Sequence, residues 1–276
     1  KNLETTAQLY EAMVRHHLTR SDLVVALGGG VVGDLAGFAA ATFLRGIDLV
    51  QLPTTLLAQI DSSVGGKTAV DLPSGKNLVG AFWQPKLVLC DILALSTLPE
   101  KTLYDGMAEA IKYAMIGCPK LIPLLKESQG RMEEIVAQCI KEKQRLVEED
   151  ERDTGARLLL NFGHTIGHAI EQHYHYQKYT HGQAVAIGMV MMTSLASRFS
   201  PPDEQVMPTL LELLNRYSLP TWDEANPQQL AKVALGDKKR QLDTIRLVVV
   251  PKVGESNIIP MPVSRFMELM SEGLEQ

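Results

Sequence analysis

The chain has 276 residues, of which 45% are hydrophobic and 21% are charged. This is the composition of an ordinary globular protein, long enough for one large core or two smaller ones. A net charge of −5 argues against nucleic acid as a partner, because phosphate-backbone binding requires a basic surface. No apolar run approaches the roughly 18 residues of a membrane span, and no secretory leader is recognisable. We therefore expect a cytoplasmic protein without a membrane partner.

The first part of the chain alternates predicted helices and strands, which indicates a parallel α/β sheet. In chain order these elements are a helix over residues 2–18, a strand over 22–27, a helix through Phe43, a strand over 48–52, a helix to about Asp61, a glycine loop and a strand over 86–90.

The second part is predicted to be mostly α-helical. The expected helices cover residues 99–117, 119–127, 131–149, 156–175, 182–199, 203–217 and 227–235, with one late strand over 245–250 and a closing helix from Ser264. We therefore expect two domains, an α/β domain over residues 1–97 and a helical domain over 98–276.

A glycine pattern, Gly28-x-Gly30-x-x-Gly33, lies between the first predicted strand and the next helix. It matches the dinucleotide fingerprint, in which glycines let a pyrophosphate approach a helix N-terminus, although a tight structural turn can give the same pattern. The usual ribose-binding acid is absent, since the second strand ends in Pro53 and two threonines. Asp34 would repel a phosphate, so we expect it to contact hydroxyl groups. A Rossmann-like NAD site of non-standard form is predicted.

A dinucleotide-binding sheet normally has about six strands, whereas only three are predicted here. We therefore expect the α/β domain to lack an N-terminal portion.

Two further glycine-containing loops each contain a lysine, Lys67 and Lys76. A P-loop would require glycine where this chain has Asp61, which disfavours a nucleoside triphosphatase. Each lysine alone could be merely solvated, but cationic motifs within an acidic protein suggest a small anionic substrate.

Two histidines, His164 and His168, are spaced i and i+4 and would project from one helix face. Such a pair alone is as often packing as metal ligation. Gly163 and Gly167 favour ligation, because they let a backbone or a ligand approach closely. Thr165 occupies the place of the glutamate in an HExxH motif, so a zincin is excluded. A carboxylate ligand must then come from another helix.

Glu109 is the candidate for that carboxylate. It is spaced i, i+3 from Lys112, which in an exposed pair would contribute only a few tenths of a kcal/mol. The apolar residues around it predict a buried helix, where a charged pair requires a reason.

Further polar residues are predicted near the histidines. Arg157, Asn161 and His164 would share one helix face, and a guanidinium beside an amide suits a carboxylate. Lys143 completes this polar set. Lys238 lies in a segment that is equally compatible with a solvated turn and with substrate contact.

The motifs GGGVVGD, PTTLLAQIDSSVGGKTAV, GKN, GMAEAIKYA, LNFGHTIGHAIE, HG-x-AVAIGM and IRLVVVPKVG together resemble those of the 3-dehydroquinate synthases, members of the sugar-phosphate cyclase superfamily. The resemblance extends over nearly the whole chain. It implies that Glu109, His164 and His181 bind a catalytic zinc or cobalt ion, with His168 beside them as a substrate or proton-relay residue.

The resemblance also implies the other site residues. Those expected to line the NAD site are Lys1, Gly29, Gly30, Val31, Val32, Gly33, Asp34, Thr54, Thr55, Lys67, Lys76, Ala94, Leu95, Ser96 and Thr97. Those expected around the substrate are Asp61, Lys67, Asn77, Lys112, Lys143, Arg157, Asn161, His168 and Lys238, with Arg45 near the phosphate at a homodimer interface.

The implied reaction is that of a carbon–oxygen lyase of the shikimate pathway, which converts 3-deoxy-D-arabino-heptulosonate 7-phosphate into 3-dehydroquinate and phosphate. It proceeds by NAD-mediated transient oxidation, β-elimination of phosphate, reduction and intramolecular aldol closure. Two rivals share the scaffold. One is a cyclase making 2-deoxy-scyllo-inosose or 2-epi-5-epi-valiolone, whose substrates lack the carboxylate that Arg157 and Asn161 suit. The other is an alcohol dehydrogenase of the glycerol dehydrogenase type. A catalytically inactive binding protein is a more distant alternative.

Overall fold

The computed structural model describes residues 1–236 and 243–272. The chain forms two compact units. Unit 1 contains Lys1–Gly106 and Lys143–Arg152, and unit 2 contains Met107–Glu142 and the residues from Asp153 onward. The units thus divide after Gly106 rather than after Thr97, and part of a later helix belongs to unit 1. The functional domain boundary stays a prediction.

Unit 1 combines helices with short strands. Its elements are α1 (Leu3–Arg15), β1 (Leu23–Gly28), α2 (Gly30–Thr42), β2 (Asp48–Pro53), β3 (Lys67–Leu72), β4 (Gly75–Phe82) and β5 (Leu87–Val88). Between them lie 3-10 segments at Phe43–Arg45 and Ile92–Thr97 and a π-helix at Ala58–Ser62. The helix expected before Asp61 is therefore partly a π-helix.

The predicted parallel sheet is present, in the order β1-β2-β5. Ala26 and Leu49 from its strands pack with Ala40, Phe43 and Ile47 in one apolar cluster. Side chains alternate between the two faces of a strand, so the neighbours of Ala26 point the other way and are exposed. The expectation that an N-terminal portion is lacking stays a prediction.

An antiparallel hairpin of β3 and β4 replaces the expected glycine loop. Lys67 pairs with Phe82, and the register shifts between Val70 and Leu72. Glycines at both ends of the segment obscure its alternating burial pattern. The two strands form backbone hydrogen bonds with each other rather than with the parallel sheet.

Unit 2 is mostly helical, as expected. Its elements, together with the helices that continue from unit 1, are α3 (Glu100–Ile116), α4 (Leu121–Lys126), α5 (Met132–Glu149), α6 (His164–His173), α7 (His181–Ala196), α8 (Val206–Arg216), α9 (Pro227–Leu235), β6 (Thr244–Lys252), β7 (Glu255–Pro262) and α10 (Val263–Ser271). Among the described residues, no helix has both the length and the apolar character needed to cross a membrane.

One expectation for unit 2 is wrong, and another is confirmed but incomplete. The helix expected over residues 156–175 is broken: a 3-10 segment covers Ala156–Asn161, and Gly163 adopts a left-handed φ of 77° before α6 begins. The late strand expected over residues 245–250 is present as β6, but it pairs with β7 in an antiparallel hairpin that was not predicted. β7 was not predicted because it contains prolines at positions 260 and 262, and proline is disfavoured inside strands.

Candidate metal centre

Three side chains predicted as metal ligands come together in unit 2. Glu109 lies on α3, while His164 and His181 are the first residues of α6 and α7. The Nε2 atoms of His164 and His181 lie 3.3 Å and 3.6 Å from Glu109 Oε1. Zinc bonds of about 2.0–2.2 Å in tetrahedral geometry separate neighbouring ligand atoms by roughly 3.4 Å. The two carboxylate–imidazole distances therefore match those between neighbouring ligands of one divalent ion, and ligand atoms of all three residues lie within 4.8 Å of one another.

The buried carboxylate of Glu109 fits a cation. Its side chain is fully buried, and Oε1 accepts no hydrogen bond in this structure. The ammonium of Lys112, itself 1% exposed, forms an ion pair with Oε2. A buried carboxylate oxygen that faces two imidazole nitrogens is placed to coordinate a cation.

Electrostatics keep this carboxylate ionised. Burial by itself would raise the pKa of Glu109, but Lys112 and the nearby imidazoles hold it well below its ordinary value. For His164, burial and the Lys112 ammonium lower the pKa. Burial also acts to lower the pKa of His181, but Glu109 and Glu171 raise it to about 10. The cluster without a metal thus holds a proton on His181 that a metal would displace.

Close packing of α6 against α7 sets the spacing of the imidazoles. A Cβ added at Gly163 would lie 2.5 Å from Met189 Cγ, and one at Gly167 would lie 3.1 Å from the carbonyl oxygen of Ala184. The expected close approach at these glycines is therefore made by the backbone and side chains of α7. At the start of α7, Gln183 Oε1 accepts a hydrogen bond of 3.1 Å from the Thr180 N–H and fixes the helix end.

His168 lies one turn after His164 and is exposed. Its ring centroid is 5.3 Å from that of His164 and 5.9 Å from that of His181. Desolvation of the ring, with the two neighbouring imidazoles, lowers the pKa of His168 to about 4, although solvent at the exposed side chain screens part of this effect. The imidazole is therefore neutral at neutral pH.

A second polar group lies in unit 1, at the π-helix. Lys143 Nζ lies 2.7 Å from Asp61 Oδ1 and also donates to the Asp61 carbonyl. The lysine side chain is 6% exposed. Single π turns are frequent at functional sites. The structure thus pairs two of the predicted substrate residues.

A third polar group in unit 1 surrounds Asp34. Lys1 Nζ donates to the side chains of Asp34 and Asn77. Burial raises the pKa of Asp34, and Lys1 opposes this. Asp34, Lys67 and Asn77 line a cavity of about 360 Å³. Asp34 therefore contacts an ammonium in this structure, and its expected contact with ligand hydroxyl groups stays a prediction.

The remaining predicted cofactor residues lie on nearby segments of unit 1. Gly29 caps α2, Thr54 and Thr55 follow β2, Lys76 lies in β4, and Ala94–Thr97 end a 3-10 segment. Arg45 is exposed and has a left-handed φ of 69°. The cofactor-binding role of these residues stays a prediction.

The expected common helix face for Arg157, Asn161 and His164 is wrong. Arg157 and Asn161 lie in the 3-10 segment, and Gly163 separates them from α6. Arg157 is 1% exposed. Lys238 lies outside the described residues. One site residue was missed: Glu171 lies seven residues after His164, two turns along the same helix face, and that spacing was the available signal.

The glycine turn of unit 1 suits a dinucleotide, and the carboxylate–imidazole cluster of unit 2 suits a divalent metal ion. Sequence models of the 3-dehydroquinate synthase N-terminal and C-terminal regions match residues 1–105 and 106–240. The chain belongs to the 3-dehydroquinate synthase family.

Individual relatives agree with this assignment. The 3-dehydroquinate synthase of Clostridium acetobutylicum is 47% identical over 92% of this chain and 74% of its own length. A solved 2-deoxy-scyllo-inosose synthase, complexed with carbaglucose-6-phosphate, NAD⁺ and Co²⁺, is 30% identical with a TM-score of 0.85, covering 99% of this chain and 80% of that one. The 2-epi-5-epi-valiolone synthase of Streptomyces hygroscopicus has a TM-score of 0.87 at 24% identity, over 97% and 78% of the two chains, which supports the fold.

Proposed function

We propose that this chain converts 3-deoxy-D-arabino-heptulosonate 7-phosphate into 3-dehydroquinate and phosphate, as a lyase of the shikimate pathway. The observation that carries the proposal is the 47% identity to a 3-dehydroquinate synthase over 92% of the chain. The ligand spacing around Glu109 Oε1 supports it independently.

NAD and a divalent metal, zinc or cobalt, are the cofactors of this proposal. When bound, NAD⁺ supplies transient oxidation of a substrate hydroxyl and the metal supplies Lewis-acid polarisation of its oxygen. Glu109, His164 and His181 would hold the metal. A solved relative that is 30% identical contains NAD⁺ and Co²⁺, which supports both cofactors here.

Lys112 and His168 have separate roles in unit 2. The buried Lys112 ammonium keeps Glu109 ionised, so the carboxylate is ready to bind a cation. His168 is exposed and neutral at neutral pH, so one of its imidazole nitrogens can accept a proton from the substrate. We assign Arg157 and Asn161 to the substrate carboxylate, because a guanidinium fork and an amide suit that group.

In unit 1, the polar groups suit an anionic substrate and a dinucleotide. Lys67, Lys76, Arg45 and Lys143 supply positive charge for phosphate groups. The N-terminal end of α2, opened by Gly29 and Gly30, supplies backbone N–H groups for the pyrophosphate of NAD. The cavity beside Asp34 and Asn77 provides polar side chains for substrate hydroxyls.

The rival cyclases are less favoured. A 2-deoxy-scyllo-inosose synthase is 30% identical to this chain, against 47% for a 3-dehydroquinate synthase. A dehydrogenase would accumulate NADH, whereas the proposed reaction returns the hydride in each turnover. The test is phosphate release from the heptulosonate phosphate with catalytic NAD⁺. Phosphate release without net NADH supports the proposal, while activity only on a sugar phosphate without a carboxylate contradicts it.

A homodimer in the cytoplasm belongs to the same proposal. The named relatives are bacterial biosynthetic enzymes, which supports the location. Arg45 is exposed on a left-handed turn, as a residue that reaches a partner subunit would be. Light scattering on a size-exclusion column measures the mass directly, and a monomer at micromolar concentration would contradict the dimer.

A further inference from the structure

We infer that Glu171 is a positioning residue for His181, orienting its imidazole toward the metal. This inference rests on the metal site of the proposed function. Glu171 lies on α6, whereas His181 opens α7, so the contact joins the two helices that carry the imidazoles.

The geometry of the ring carries the inference. His181 Nδ1 lies 3.5 Å from Glu171 Oε2, while Nε2 of the same ring lies 3.6 Å from Glu109 Oε1. The two ring nitrogens thus face two different carboxylates. A carboxylate at Nδ1 holds the proton there and leaves the Nε2 lone pair for a cation. The side chain of Glu171 is 8% exposed, so water competes little for it.

His164 is oriented in the same way by a different acceptor. Its Nδ1 lies 3.1 Å from the carbonyl oxygen of Phe162, and its Nε2 faces Glu109 Oε1. Both imidazoles therefore present Nε2 to the same oxygen, with an acceptor behind each Nδ1. Only the acceptor behind His181 is charged, and a charged acceptor makes the imidazole a stronger ligand.

A competing arrangement is that Glu171 binds the ion directly. Ligand atoms of His168, Glu171 and His181 also lie within 4.8 Å of one another. The Glu109 group is favoured because its carboxylate is fully buried and one of its oxygens faces two imidazole nitrogens. The two arrangements differ in which histidine they need besides His181: His164 in the first and His168 in the second.

The test measures Zn²⁺ affinity of the full chain, by competition with a chromophoric chelator. We expect Glu171→Ala to weaken the affinity by about 10–100-fold, the effect typical of removing a partner behind a metal-binding histidine. Glu171→Gln keeps an oxygen acceptor and should fall between Glu171→Ala and the wild type. Ile170→Val is the matched control, because it perturbs a buried neighbour on α6 and leaves the carboxylate in place.

A second readout separates positioning from general loosening of the fold. Imidazole ¹⁵N spectra of the zinc-bound protein should place the proton of His181 on Nδ1 in the wild type and in Ile170→Val. In Glu171→Ala that signal should shift or exchange with water. The d–d absorption of Co²⁺ should change in the same variant.

The outcomes are distinguishable. Wild-type affinity in Glu171→Ala, with unchanged spectra, overturns the inference while leaving the proposed function intact. Zinc binding that needs His168 but not His164 also overturns it, because Glu171 would then be a ligand. Failure of the wild type itself to bind zinc contradicts the proposed function.

Discussion

Gly188 on α7 packs against the residue that precedes α6: a Cβ at position 188 would lie 2.1 Å from the carbonyl oxygen of Gly163. The contact connects the two helices close to the imidazole of His164. Backbone atoms occupy the space that a side chain would need, so the helices can adopt this spacing only with glycine at position 188.

Gly188→Ala should therefore destabilise the protein, by about 1–3 kcal/mol as for other overpacked sites, and weaken zinc binding. Thermal and urea unfolding measure the first effect, and chelator competition the second. The sign of the change in unfolding free energy is informative, because alanine in an unconstrained helix stabilises the helix by up to about 1 kcal/mol relative to glycine. A more stable variant with unchanged zinc affinity would contradict the packing argument.

The Lys112–Glu109 pair gives a second prediction. Lys112→Met leaves a buried carboxylate without its partner, which should cost about 3–5 kcal/mol of unfolding free energy in the metal-free protein. Bound zinc should reduce this loss, since the ion itself neutralises Glu109. Urea unfolding with a chelator and with zinc measures both values.

The matched control for that experiment is Lys126→Met. Lys126 lies 2.7 Å from Glu212 in an ion pair whose side chains are 40% and 57% exposed. Solvent screens such pairs, so its removal should leave stability nearly unchanged. Equal effects of the two substitutions would show that burial of Glu109 is unimportant.

A third prediction concerns pH. The pKa of His181 is raised from 6.5 to about 10 in the folded metal-free protein, so the folded state binds more protons than the unfolded state between these values. Its contribution to stability is fully present below pH 6.5 and is lost as the pH rises toward 10. The slope can reach about 1.4 kcal/mol per pH unit. Urea unfolding in chelator across this window should therefore show a steeper decline for the wild type than for His181→Gln. Parallel curves would contradict the assignment.

A fourth prediction concerns the π-helix of unit 1. Lys143→Met removes a charge-assisted contact to Asp61, of a kind worth about 1.5–3 kcal/mol, and should lower kcat/KM for phosphate release by roughly 10–100-fold. Lys141→Met on the same helix is the matched control, since Lys141 is exposed. If the two variants have the same kcat/KM, the contact of Lys143 with Asp61 has no part in turnover.

Local spacing made much of the fold predictable. The parallel sheet followed from strand–helix alternation. The burial of Glu109 was predictable from the apolar residues on both sides of it. The close approach at Gly163 and Gly167 followed from the cost of glycine within a helix.

The remaining features depend on contacts between elements, which the periodicity of a single helix or strand does not reveal. The β3–β4 hairpin was obscured by its glycines, and the contact of His181 Nδ1 with Glu171 joins two different helices. The break at Gly163 invalidated the expected common face for Arg157 and His164. Helical periodicity alone does not reveal a left-handed residue where α7 packs closely.

The most direct test of the account is the metal content of the purified chain, measured by mass spectrometry for the wild type and for His181→Ala after dialysis against zinc. We predict one ion per chain in the wild type and essentially none in the variant, because Glu109 and His164 alone are too few ligands for a stable site. Full zinc occupancy in His181→Ala would contradict the central claim that these three side chains share one ion.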